Sequence, residues 1–171
     1  AFISKLADAF PITDKGELQY YLGINFTRAG NVVKLDQQKY IQELLEEFGL
    51  ADAQPVTTPG TTAKQTCQDP DMPCDQALYR RMVGCLVYVA QCTRGDIAES
   101  VSAVSRSLQA PTNGDLHAVQ RIYRYLKHTM DWALTYSTTD CTPVVVTDAS
   151  YATCPKTKRS QTGFLIVLSG A

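Results

Sequence analysis

The sequence predicts an α+β fold: an N-terminal β-hairpin plus a helix, a helical bundle, and a C-terminal β-hairpin. The hydrophobic period carries that prediction. Apolar and polar residues alternate over residues 18–35, recur at helical spacing over 37–50 and again between 75 and 130, and return as a β-branched run at 144–147. Pro55, Pro59, Pro70 and Pro73, set among Thr, Gln and Asp, mark an extended linker between the two helical stretches. The expected organisation is 1–50, hairpin and helix; 51–74, linker; 75–138, helical bundle; 139–171, terminal strands.

Each element has a local reason. The runs at 18–26 and 32–35 flank Arg28, Ala29, Gly30 and Asn31, a glycine-containing hairpin turn. A helix follows with Asp36 as its expected N-cap, Tyr40, Ile41, Leu44, Leu45 and Phe48 on one face, and Gly49 as the left-handed residue that ends it. Beyond the linker three helices are expected, at 75–92, 96–109 and 113–130. The second repeats Ile97, Val101, Val104 and Leu108; the third opens with Thr112 and Asp115 at capping-box spacing. Pro143 precedes 144–147, a run apolar on both faces like a central strand, and 163–168 is a second strand candidate. An isolated hairpin is marginal in water, so this pair needs a partner inside or outside the chain.

Composition narrows the function classes. With 171 residues, 44% hydrophobic and 19% charged, the chain can bury a core without disulfides or metal. Net charge is −1, yet residues 1–75 hold six Lys/Arg against eleven Asp/Glu, while 76–171 hold ten against six, so an anionic partner should meet the second half. The longest apolar stretch, 82–90, is far below the roughly 20 residues of a transmembrane helix. Ala1 is no initiator and residues 1–10 lack signal-peptide character, so either a leader has been removed or the chain is part of something longer. Six cysteines (67, 74, 85, 92, 141, 154) show no Cys-x-x-Cys spacing and only two histidines are present, which argues against structural zinc. Cys85 and Cys92 lie about 10 Å apart along a helix, too far to bridge. Thiols in a reducing compartment, cytoplasm or nucleus, are the expectation, with an organelle the alternative if a leader is missing; a Cys67 to Cys74 bridge would form only under oxidising conditions. No P-loop, Rossmann fingerprint or Ser-His-Asp arrangement occurs.

Five segments taken in order, GELQYYLGINF (16–26), QQKYIQELLEEFGL (37–50), YRRMVGCLVYVAQCTRGDI (79–97), RIYRYLKHT (121–129) and VVVTDASYATCPKTKRSQTGF (144–164), resemble the polyprotein of copia-type retrotransposons over nearly the whole chain. The resemblance implies that 1–50 is the palm-edge hairpin and thumb helix of a reverse transcriptase, 75–138 a thumb or connection bundle, and 139–171 the opening strands of a ribonuclease H-like domain. It sets the start after the polymerase's aspartate pair and the end after the first ribonuclease H carboxylate.

Tyr21 and Gly23 then match the primer grip, whose backbone holds the primer terminus; from spacing alone they could equally be a hairpin with a bulge. Arg80, Gly84 and Tyr88 match a thumb helix that lies along the minor groove of the template-primer. Without the family, a mid-helix glycine costs about 1 kcal/mol and asks for close packing or a ligand. On the third helix Leu116, Val119, Ile122, Tyr123 and Leu126 form one face and His117, Arg121, Arg124 and His128 the opposite one. A basic row is a solvated face or a track for phosphates, and Arg121 and Arg124 are the candidates there.

Asp148 matches the first ribonuclease H metal acid, with Ser150 and Tyr151 in place of the usual Asp-Trp. Intact members use Mg²⁺, but two-metal hydrolysis needs several carboxylates, and no acidic residue follows Asp148. No Asp-Asp pair occurs either. Asp148 is therefore expected to be a vestigial acid, with no catalytic residue, metal or cofactor for this chain alone. Gly95 stands where the family has proline, Glu99 where it has an apolar residue, and Lys15 where it has leucine. The expected partner is an RNA:DNA or DNA duplex; the alternative is a structural subunit packed against other proteins in a larger assembly, without nucleic acid.

Overall fold

The structure, a computed structural model, describes residues 2–13, 15–60, 69–137, 142–152, 158 and 160–171. It is α+β. A short helix, α1 (Phe2–Ala9), leads into β1 (Tyr20–Tyr21), β2 (Ile24–Ala29) and β3 (Val32–Asp36), then α2 (Gln38–Glu47). Helices α3 (Gln76–Cys92), α4 (Ala98–Ser105) and α5 (Asn113–His128) follow, with a 3-10 turn Gly95–Ile97 leading into α4. The chain ends with β4 (Leu134–Ser137), β5 (Val144–Ser150) and β6 (Gln161–Val167).

The core lies among α2, α3, α4 and α5. Each helix contributes the stripe its spacing dictates: Ile41, Leu44 and Leu45 from α2; Met82, Leu86 and Val89 from α3; Val101 and Val104 from α4; Val119, Ile122, Tyr123 and Leu126 from α5. Every such side chain taken from water contributes about 1.5–3 kcal/mol before entropy is charged. Two tyrosines staple helices by their hydroxyls, Tyr79 donating to the Val104 carbonyl at 2.7 Å and Tyr123 to that of Met82 at 2.9 Å. Burial pushes both phenols above the ordinary tyrosine range, so they remain donors.

The capping box of α5 forms: Thr112 Oγ1 accepts from the Asp115 amide, and the Asp115 carboxylate accepts from that of Thr112. Gly49 takes φ 67 at the end of α2. The start of that helix differs from expectation. Gln37, not Asp36, occupies the N-cap, its amide turned inward to receive the Thr93 hydroxyl at 2.8 Å. Asp36 instead accepts the Gln38 amide and the Asn25 side chain.

The expected first strand, 18–26, is broken by a turn at Leu22 and Gly23 into β1 and β2. With β3 and β4 they form a four-stranded antiparallel sheet in sequence order, Leu35 opposite Leu134 and Val33 opposite Tyr136. Neither α1 nor β4 is announced by the sequence; four residues are too few for a period to declare itself. β5 and β6 form a separate ladder. Val144, Val145 and Val146 are expected inside a central strand, but all three are exposed, because β6 is the only strand beside them among the described residues. The Ser137 amide reaches the Ser169 carbonyl at 2.7 Å, joining this ladder's end to β4. No described helix is long and apolar enough to cross a membrane. Cys74, Cys85 and Cys92 are free, whereas Cys67, Cys141 and Cys154 and most of the basic turn 156–159 lie outside the described residues.

Candidate nucleic-acid interface

Five of the singled-out residues fall on the hairpin turn and the outer stripe of α3. The two central residues between β1 and β2 are Leu22 (φ 49) and Gly23 (φ 76), both left-handed, as tight hairpins with right-twisted strands require. A Cβ on Gly23 would meet the Tyr40 ring at 3.5 Å, an ordinary contact, so the backbone angle rather than crowding calls for glycine. Tyr88 donates its hydroxyl to the Leu22 carbonyl, and the edge of the Tyr40 ring meets Tyr88 with centroids 5.5 Å apart. Tyr21 beside the turn is exposed, and Lys39 sits 5.1 Å over the ring of Tyr20.

Arg80, Gly84 and Tyr88, four residues apart on α3, continue one stripe away from the core. Gly84 is exposed, and a Cβ there would meet nothing within 4 Å. Packing among the described residues therefore gives no reason for a mid-helix glycine. Arg80 is anchored, its Nε donating to the Leu108 carbonyl at 2.9 Å. Arg81 is ion-paired with Glu47 at 2.6 Å.

Arg121 and Arg124 lie elsewhere, on the α5 face opposite its core stripe, and residues 51–60 run along that face. Lys127 Nζ donates to the carbonyls of Ala51 (2.6 Å) and Ala53 (3.0 Å), Arg124 Nε to that of Gln54, and Arg121 Nη2 to Thr58 Oγ1 (2.8 Å). The Val56 amide returns a bond to the Arg124 carbonyl at 3.4 Å. The row thus holds the chain's own oxygens, three backbone carbonyls and the Thr58 hydroxyl, and both arginines are half-buried. His117 and His128 stay exposed.

A further arginine escapes a search for exposed cations. Arg94 is 2% exposed. Its guanidinium makes a two-pronged bond to Asp96 (2.9 and 2.7 Å), reaches the Thr129 carbonyl (3.0 Å) and hydroxyl (2.6 Å), and lies 5.4 Å from the ring centroids of both Tyr125 and Trp132. Tyr125 donates its hydroxyl to Asp96 Oδ2 at 2.8 Å, the oxygen that also accepts from Arg94 Nη2. Burial works against the ionised form of Asp96, but the hydrogen bonds from Arg94 and Tyr125 outweigh it and hold the group below the usual carboxylate range. The Thr-Arg-Gly-Asp-Ile motif is a structural joint between α3 and the end of α5. Charged residues two apart just past an apolar helix were its available signal.

Asp148 stands exposed in mid-strand on β5, opposite Gly163. Among the described residues no group of three or more His, Cys, Asp or Glu is gathered for a metal, so the donor set does not suit a two-metal centre.

The reverse transcriptase (RNA-dependent DNA polymerase) family model matches residues 1–62. The retrovirus-related Pol polyprotein from transposon TNT 1-94 of Nicotiana tabacum is 34% identical over 96% of this chain, which spans 13% of that polyprotein. An uncharacterized mitochondrial protein of Arabidopsis thaliana is 32% identical over 97% of this chain and 69% of its own length. The retrovirus-related Pol polyprotein from transposon RE1 of the same plant is 37% identical over 74% of this chain and 9% of its own length. No solved structure matches.

Proposed function

This chain belongs to the family of copia-type retrotransposon polyproteins, and from that premise we propose that it holds a nucleic-acid duplex, RNA:DNA or DNA, on the turn around Gly23 and the Arg80, Gly84, Tyr88 stripe of α3. By itself it neither polymerises nor cleaves. The observation that carries the reading is Gly84: a residue that weakens its helix by about 1 kcal/mol faces open space beside an exposed tyrosine-bearing turn. A flat groove between side chains is what a close-approaching ligand backbone needs. Catalysis is set aside on the donor set, since Asp148 has no converging acids among the described residues.

Binding of a labelled RNA:DNA hybrid, followed by fluorescence anisotropy across salt concentrations, tests this. Affinity should fall with salt but shallowly, with a slope of about two phosphate contacts, because Arg121, Arg124 and Lys127 are already engaged. Gly84→Leu should weaken binding at least about tenfold while thermal stability rises, since leucine gains roughly 0.8 kcal/mol of helix propensity over glycine in open space. Equal affinity in Gly84→Leu, or affinity indifferent to salt, defeats the reading.

A second reading, a structural subunit packed against other proteins, is favoured by one observation. Val144, Val145, Val146, Phe164, Leu165 and Ile166 leave both faces of the β5–β6 ladder apolar and 53–75% exposed. A folded chain that ignores duplexes at every salt concentration would leave this one standing.

A further inference from the structure

The turn between β1 and β2 carries leucine at a position where such turns take asparagine, aspartate or glycine. At φ 49 the Leu22 Cβ crowds the following carbonyl, and its side chain is 67% exposed, so no burial offsets the strain. What compensates is a contact sixty-six residues along the chain: the Tyr88 hydroxyl donates to the Leu22 carbonyl. The Tyr88 ring is itself seated against the edge of Tyr40, which also lies under Gly23, and the Cys92 thiol approaches the same hydroxyl. We infer that Tyr88 is a positioning residue: its hydroxyl locks the strained Leu22–Gly23 turn onto α3, so that the turn is presented in one conformation. The lock is a property of the free chain; only its consequence for ligand binding rests on the duplex-holding reading. A strained backbone persists where surrounding contacts over-determine it, and such places are often binding clamps.

The test uses the full chain without nucleic acid and then with it. Tyr88→Phe keeps the ring and its contact with Tyr40 but removes the donor. Amide hydrogen exchange at residues 22–24 should then speed up about five- to tenfold, the worth of one neutral hydrogen bond, with the α3 amides unchanged. Leu22→Gly, which relieves the left-handed strain, should restore slow exchange in the Tyr88→Phe background, a rescue that a merely packed tyrosine would not show. Affinity for a labelled RNA:DNA hybrid should fall in Tyr88→Phe and return in the double variant. Unchanged exchange at 22–24 overturns the lock, and if affinity falls all the same, Tyr88 is a direct contact. A loosened turn with unchanged affinity leaves the lock standing and removes the duplex-holding reading instead.

Discussion

Helices α3 and α5 each set a second stripe away from the apolar one, Arg80, Gly84 and Tyr88 on α3 and a basic row on α5, and the two stripes meet different fates. On α5 the row is occupied from within: Lys127, Arg124 and Arg121 grip successive oxygens of residues 51–58. On α3 only the ends are tied, Arg80 to Leu108 and Tyr88 to Leu22, and between them Gly84 opens onto empty space. The stronger sequence signal therefore marks the more occupied surface. A row of arginines reports that oxygens are wanted, not whose oxygens they are. A glycine inside a helix is the sharper clue, because it has a cost and no contact among the described residues repays it.

Arg94 calibrates the comparison and should give the largest effect. Arg94→Ala strands a partly buried carboxylate and two Thr129 acceptors, and should cost about 3 kcal/mol in denaturant unfolding. Acid should imitate it. The folded-state pKa of Asp96 is depressed, so the unfolded chain takes up the proton first as pH falls. The stability that Asp96 adds is complete above the ordinary aspartate value of about 3.9 and fades as pH drops from there toward the folded value. Thermal melts between pH 5 and 2, bracketing that value of about 3.9, should show this limb in the parent and a flattened one in Asp96→Asn.

The α5 row should respond less. Arg124→Ala with Lys127→Ala releases three carbonyl bonds of half-exposed groups, and a loss of about 1–2 kcal/mol is expected. Hybrid affinity should stay within about twofold, since these cations already hold the carbonyls of residues 51, 53 and 54. A tenfold fall in affinity with stability intact would erase the distinction between the two helices.

The smallest effect concerns Gly95. It opens the 3-10 turn before α4, has an unexceptional φ, and has nothing within 4 Å of where a Cβ would lie. Proline suits a first helical position, so Gly95→Pro should raise stability by about 0.5 kcal/mol through the unfolded state, read as a small rise in Tm. A drop would mean that Arg94, just before it, needs a backbone angle that proline forbids.

The helical core was legible because periodic stripes of four residues or more fix both a helix and its inward face, as at Val119, Ile122 and Leu126. Caps were legible where side-chain chemistry is local, at Thr112 and Asp115, and misplaced by one residue at Asp36, where a tertiary bond from Thr93 recruits Gln37. Proline-rich composition at 51–60 foretells an extended path but not that the path lies on α5, since carbonyl oxygens leave no trace in side-chain chemistry. Arg94 left only the spacing to Asp96 as a signal, for a related reason. Charged residues are rarely interior, and its partners Thr129, Tyr125 and Trp132 are some thirty-five residues away. At the candidate site, Tyr21, Gly23, Gly84 and Tyr88 came from resemblance; the bond from Tyr88 to the turn did not.

Pairing of β3 with β4 joins positions about a hundred residues apart. Helices adjacent in sequence, α3 with α4 and α4 with α5, pack on one another and can assemble early, whereas closing this sheet must wait until both flanks have been brought together. Refolding should accordingly be biphasic, with a fast helical rise in circular dichroism followed by slower protection of the β3 amides. Shortening the chain before Leu134 would abolish the second phase and leave an uncovered edge prone to self-association.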